Sequence, residues 1–249
     1  MDLIPARTIE CFHLGFLAVL RTRLDEGRYV LKGGANLRYF FASVRYSEDI
    51  DLDIAGVPGW KLEEQIDKTL SSDALNIVLR AAGVRVLADE VTKPKQTDTS
   101  RRWKIPVTAA GLSQPVRTKV EFSNRNGEDR FGLETVPGEV VRPYAMRPPS
   151  AQHYYLAPAT EQKVYALAGR PETQARDVFD LDLLLGRGPL GEGSVPAGVR
   201  EAAAEAGLAL PYDAFEDQVR PFLDPPVAAL YDAAAWSQMQ EHVVTELLR

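Results

Sequence analysis

At 249 residues, with 45% hydrophobic and 26% charged residues, the chain has the make-up of a globular protein with a substantial core, in one large domain or two small ones. Its single cysteine, Cys11, excludes an internal disulfide, its amino terminus is unlike a signal peptide, and no apolar run approaches the roughly 20 residues of a bilayer span; a cytoplasmic protein without membrane contact is expected. The net charge of -6 argues against a nucleic-acid partner only until its distribution is read: residues 201–249 hold nine Asp/Glu against two Lys/Arg, so the first 200 residues sum to +1.

Ile9, Phe12, Phe16, Leu17, Leu20 and Leu24 recur at helical spacing and predict an amphipathic helix from about Thr8 to Leu24. Residues 28–31 read as a short strand running into Gly33-Gly34, and residues 35–42 have helical propensity. Strand, glycine pair, helix is the order of a phosphate-cradling turn, although glycine pairs also make ordinary turns. Residues 49–54 then alternate strictly, which puts Ile50, Leu52 and Ile54 on one strand face and Asp49, Asp51 and Asp53 on the other. Carboxylates stacked this way repel. Either a hard divalent cation, Mg2+ or Mn2+, compensates them, or the strand is an edge with a solvated acidic face. Ser47, two residues before Asp49, offers a hydroxyl for a phosphate or simply marks the strand entry.

A helix over residues 60–82 and strands near 84–90, 102–108 and 116–123 follow. In the last strand Lys119 and Glu121 share the polar face. From Lys93 to Lys119 the seven cations Lys93, Lys95, Arg101, Arg102, Lys104, Arg117 and Lys119 are opposed only by Asp98. That local +6 suits a phosphate backbone, or a solvated loop between two strands. A proline-rich stretch from Pro137 to Pro158 marks the expected boundary between an α/β domain (1–150) and a helical domain (151–249). Helices are expected over 160–168, 172–185, 197–207 and 228–248. Asp177 and Asp180, three apart on one helix face, could orient Lys163 or Arg176, or cap a packing interface.

The segment from Lys32-Gly-Gly-Ala-Asn-Leu-Arg-Tyr-Phe40 to Arg45-Tyr-Ser-Glu-Asp-Ile-Asp-Leu-Asp53 resembles the first signature of the AbiEii/AbiGii toxins, nucleotidyltransferase-like proteins of type IV toxin–antitoxin systems. Lys119-Val-Glu-Phe122 resembles the strand that supplies the family's third carboxylate. Lys163-Val-Tyr-Ala-Leu-Ala-Gly-Arg170 and Ala175-Arg-Asp-Val-Phe-Asp-Leu181 resemble its later Lys and Arg-Asp signatures.

The resemblance implies an α/β fold, a polymerase-β-like core with a mixed sheet followed by a mostly helical carboxy-terminal half. It implies metal-dependent transfer of a nucleoside monophosphate from an NTP to an RNA acceptor, the tRNA 3′ end foremost, and a cognate antitoxin as partner. Under it Gly33 and Gly34 meet the nucleotide, Asp49 and Asp51 hold the metals, and Glu121 ligates the metal that activates the acceptor hydroxyl or acts as its base, while Ser47 offers a hydroxyl in place of the one missing after the glycine pair. Under it too Lys163, oriented by Asp177, reaches the triphosphate from the second half across a cleft; from the local +6, Arg101, Arg102 and Lys104 are expected to guide the RNA. Ala35 stands where Ser or Thr is usual in the superfamily. That departure keeps two other readings in view, a catalytically impaired nucleotide- or RNA-binding module and transfer to a protein or small-molecule hydroxyl.

Overall fold

The structure, a computed structural model, describes residues 4–124 and 130–249. The first helix, α1 (Pro5–Leu20), starts earlier than its apolar pattern because Pro5 occupies the first turn, where its fixed φ and missing N–H cost nothing. β1 (Tyr29–Lys32) passes directly into α2 (Gly33–Phe40), and β2 (Ile50–Ile54) follows. The single helix expected over 60–82 is two, α3 (Gly59–Leu70) and α4 (Asp73–Arg80). The break is local chemistry: the Ser72 hydroxyl accepts a 3.2 Å hydrogen bond from the Leu75 N–H and caps the second helix.

Strands β3 (Val84–Val86), β4 (Thr92–Gln96), β5 (Ser100–Ala109), β6 (Val116–Asn124), β7 (Phe131–Thr135) and β8 (Ser150–Tyr154) complete an eight-stranded mixed sheet, with the one-turn helix α5 (Gly138–Val141) after β7. Its order is β3-β5-β6-β2-β1-β8-β7, with β4 also paired to β5. β2 is antiparallel to β1 and parallel to β6, and β1 is parallel to β8. The proline-rich stretch is therefore not all linker. Ser-Ala-Gln-His-Tyr carries no alternating apolar signal, yet it lies buried beside β1, because long-range pairing rather than local propensity decides such a strand. Likewise β4, in the run for which a solvated loop was one of two readings, is a strand.

One face of the sheet is apolar. Ile50, Leu52, Trp103, Ile105, Val107, Val120 and Phe122 pack in one core with Phe12, Phe16 and Leu17 of α1 and Leu62 and Ile66 of α3. The opposite face carries the polar residues of β2, β5 and β6. Tyr46–Tyr154 and the segment up to Phe40 make up this compact unit.

The second unit comprises Phe41–Arg45 and Tyr155–Arg249. It consists of α6 (Leu156–Gly169), α7 (Ala175–Leu185), α8 (Ala197–Leu208), α9 (Tyr212–Gln218), α10 (Pro225–Ala228) and α11 (Ala233–Leu248). Trp236, Phe215, Val178, Leu181, Val243 and Leu247 form its core. At Gly207 an added Cβ would stand 3.3 Å from Leu167 and from Val178, so α8 packs closely against α6 and α7. No helix among the described residues is long and apolar enough to cross a membrane.

Candidate active site

The glycine turn and the carboxylate strand meet. Gly33 has φ +66°, in the left-handed region that side-chain-bearing residues avoid. A Cβ added there would stand 3.0 Å from Asp51 Oδ2. Positive φ and close approach both require glycine, and the amino end of α2 is thereby set against an aspartate. Gly34 is the next residue of that helix. Ala35 is fully buried in the apolar core, so the position where a Ser or Thr was expected points into packing.

Strand register orders the remaining groups. Lys32 pairs across to Asp51, Asp51 to Glu121, and Glu121 to Arg102, so the four lie in one row on the polar face. One step along, Asp49 Oδ1 accepts from the Lys119 backbone N–H at 3.1 Å and Asp49 Oδ2 pairs with Lys119 Nζ at 2.6 Å. One step the other way, Asp53 is buried, accepts from Lys32 Nζ at 2.5 Å and from the Tyr154 hydroxyl at 2.7 Å. The three aspartates thus share a face as the alternation predicts, and protein cations and a phenol relieve the repulsion of the outer two. Ser47 spends its hydroxyl on the Asp49 carbonyl at 2.7 Å, which turns the chain into β2. Thr118 donates to the Glu48 carbonyl at 2.8 Å and bonds to buried His13 at 2.7 Å; burial pushes the His13 imidazole down to about 3, so it stays neutral.

Glu121 accepts from Ser100 Oγ at 2.8 Å on one oxygen and from Arg102 Nε at 2.8 Å on the other. Partial burial opposes its ionisation. The hydrogen bonds from Ser100 and Arg102, with the charges of Arg102 and Lys95, outweigh burial and hold its pKa below the ordinary glutamate value. Among the described residues no three His, Cys, Asp or Glu side chains are gathered into a metal cage. The donors nonetheless fit a hard divalent cation: Asp49 and Asp51 offer carboxylate oxygens on one face, and the space a Cβ would fill at Gly33 lies against Asp51. Glu121 is held away from that role by Ser100 and Arg102.

The structure corrects the expected +6 of the basic run. Lys93 pairs with Glu63 at 2.8 Å and Asp67 at 2.5 Å, and Arg101 approaches Glu63 at 3.7 Å. Both acids belong to α3, some thirty residues earlier in the chain, where no count along the run could include them. Arg101 alternates toward the helical layer, while Arg102 and Lys104 take the polar face, Arg102 engaged by Glu121 at 2.7 Å and Lys104 exposed.

In the second unit Lys163, midway along α6, is almost wholly enclosed. Its Nζ donates to Asp177 Oδ1 at 2.8 Å and pairs with Asp180 Oδ2 at 2.6 Å. Arg45 clasps Asp180 with contacts of 2.7 and 2.9 Å, and Arg170 Nε lies 2.8 Å from Asp177 Oδ2, though not along a hydrogen-bond direction. Burial disfavours the charge on Lys163, yet Asp180 and Asp177 overcome it and its pKa is raised. Burial likewise opposes ionisation of Asp180, and Arg45 and Lys163 together bring it below the ordinary aspartate value. The two aspartates therefore hold Lys163, with Arg45 and Arg170 as members that spacing along the chain did not single out.

Solved structures share this fold. The chain is similar to JHP933 from Helicobacter pylori (TM-score 0.56, 17% identity, covering 96% of this chain and 90% of that one). It is also similar to MenT4, a nucleotidyltransferase toxin from Mycobacterium tuberculosis (TM-score 0.59, 18% identity, covering 98% and 84%). No curated protein matches in sequence. A family model described as nucleotidyl transferase AbiEii toxin, type IV toxin–antitoxin system, matches residues 16–249, so with its mixed sheet, glycine turn and carboxylate strand the chain belongs to that nucleotidyltransferase toxin family.

Proposed function

We propose that the protein transfers a nucleoside monophosphate from an NTP to the 3′ end of an RNA, a tRNA foremost, in a metal-dependent reaction that releases pyrophosphate. The observation that carries this reading is the contact of Gly33 with Asp51, which sets the amino end of a helix beside a carboxylate that can hold a cation. Backbone N–H groups there favour a phosphate, and Asp49 and Asp51 favour the cation that accompanies it. Mg2+ or Mn2+ held by these two residues would neutralise charge on the triphosphate and on the departing pyrophosphate. Gly33 and Gly34 leave the phosphate room to approach, and Ser47 keeps Asp49 in place.

Glu121 is the residue in register with Asp51 and takes the proton of the attacking hydroxyl, or serves as a further ligand. Either role requires Arg102 to release it. A guanidinium freed in this way, next to Lys104, faces the incoming RNA phosphates. The family implies an antitoxin that restrains the activity, and the cytoplasm as the place where NTP and tRNA meet. Incubation of the protein with radiolabelled NTPs, Mg2+ and total RNA tests the reading. Label should appear on RNA and vanish in Asp49→Ala and Asp51→Ala, whereas label on protein or on a small molecule, or none, would refute it.

A further inference from the structure

The polar face of the sheet carries a second set of cations that the carboxylates do not use. Lys104 is the cross-strand partner of Lys119, Arg117 of Pro106, and Arg85 of Thr108. Pleating therefore puts all three on the face of Asp49, Asp51 and Glu121. All three are exposed, and among the described residues none has a carboxylate partner, unlike Lys93, Arg102 and Lys119. Beyond them the sheet ends at β3, beside a groove of about 630 Å³ lined by Ser71, Asn76, Arg80, Arg85 and Thr108 among others. Arg80, the last residue of α4, is also exposed and without a carboxylate partner among the described residues. Among the described residues no acidic side chain and no aromatic ring lines the groove.

Two like-charged guanidiniums in one groove, without an acid to balance them, suit an anionic occupant. From strand spacing and rise, Lys104 and Arg117 stand about 8 Å apart, and Arg85 lies about 20 Å from Asp49. Cations strung at this scale outward from the reacting groups match the repeating charges of a polynucleotide. Arginine forks recognise phosphate oxygens, and the missing aromatic platform leaves the backbone as what is bound. We propose that Lys104, Arg117, Arg85 and Arg80 form a backbone track for the single-stranded end of the RNA acceptor, running from the carboxylates to the groove at the β3 edge. The proposal rests on the transferase reading for the identity of its ligand.

Binding and transfer are measured separately. Anisotropy of a fluorescein-labelled single-stranded RNA of about 20 nucleotides is titrated with full-length protein over a range of NaCl concentrations. Replacing Arg80, Arg85, Lys104 and Arg117 together by Gln should lower the slope of log K against log salt by up to about 0.7 per lost contact. The matched variant, with Arg21, Arg23, Lys61 and Lys68 replaced by Gln, loses the same charge elsewhere and should keep the slope of the parent. An unchanged slope in the first variant, an equal fall in the second, absence of RNA binding by the parent, or tighter binding of a duplex of equal length would each overturn the track. Salt-dependent binding that follows the track, without label transfer to any RNA, would sink the transferase reading and leave the track standing.

Discussion

Gly33→Ala separates backbone strain from placement of the carboxylate. At φ +66° an alanine costs about 1–2 kcal/mol in the left-handed region, which for a chain of this size lowers Tm by roughly 2–8 °C. Its new methyl would also stand 3.0 Å from Asp51 Oδ2, tighter than ordinary contact, so the carboxylate must yield by a few tenths of an ångström. A carboxylate end can rotate, which keeps the further stability cost small and places the damage in the position of the oxygen. Gly27→Ala is the matched control, because Gly27 has φ +81° and nothing within 4 Å of an added Cβ. Thermal unfolding should show similar losses for both variants. Label transfer to RNA should fall by about tenfold or more only in Gly33→Ala, as misplacement in a reacting site costs far more than strain elsewhere. Equal transfer by the two variants would refute the argument that Gly33 is kept for Asp51.

Addition of Mg2+ should raise Tm in the parent by the binding linkage and leave Asp51→Ala unmoved, while chelation abolishes transfer; differential scanning fluorimetry reads the shift. Lys163→Met leaves two buried aspartates short of one cation and should destabilise the protein by about 3–5 kcal/mol in denaturant melts, with partial recovery in Lys163→Met/Asp177→Asn. Because Asp180 is held below its ordinary pKa, its contribution is present above about pH 4 and lost as pH falls through its folded-state pKa; Lys163, held above its ordinary value, contributes fully below about pH 10 and loses that contribution as pH rises through its folded-state pKa. Parent and Asp180→Asn should therefore converge in stability in acid, as urea melts across pH will show. Glu121→Gln removes the partner of Arg102, so transfer should be lost while RNA binding is kept or strengthened, and weakened binding would count against the release of Arg102 toward RNA.

Elements whose signal is local were legible along the chain. Alternation along residues 49–54 set three aspartates on one strand face, the glycine pair marked the turn before them, and helical spacing set the apolar face of α1 and the shared face of Asp177 and Asp180 on α7, because period and backbone freedom are properties of neighbouring residues. Which charges meet is set by the fold. Glu63 and Asp67 cancel Lys93 and Arg101 although α4 and β3 lie between them along the chain, Arg102 clasps Glu121 through strand register, and Lys163 disappears into a cluster closed by Arg45 and Arg170. β8 entered the sheet without any pattern of its own, since a short polar strand is held by its partners. Charge falls off over several ångströms of space whatever the separation along the chain, so a tally by residue number cannot reveal which cations remain for a ligand; folding, which brings the acids of α3 to one face and leaves Arg80, Arg85, Lys104 and Arg117 without them, does.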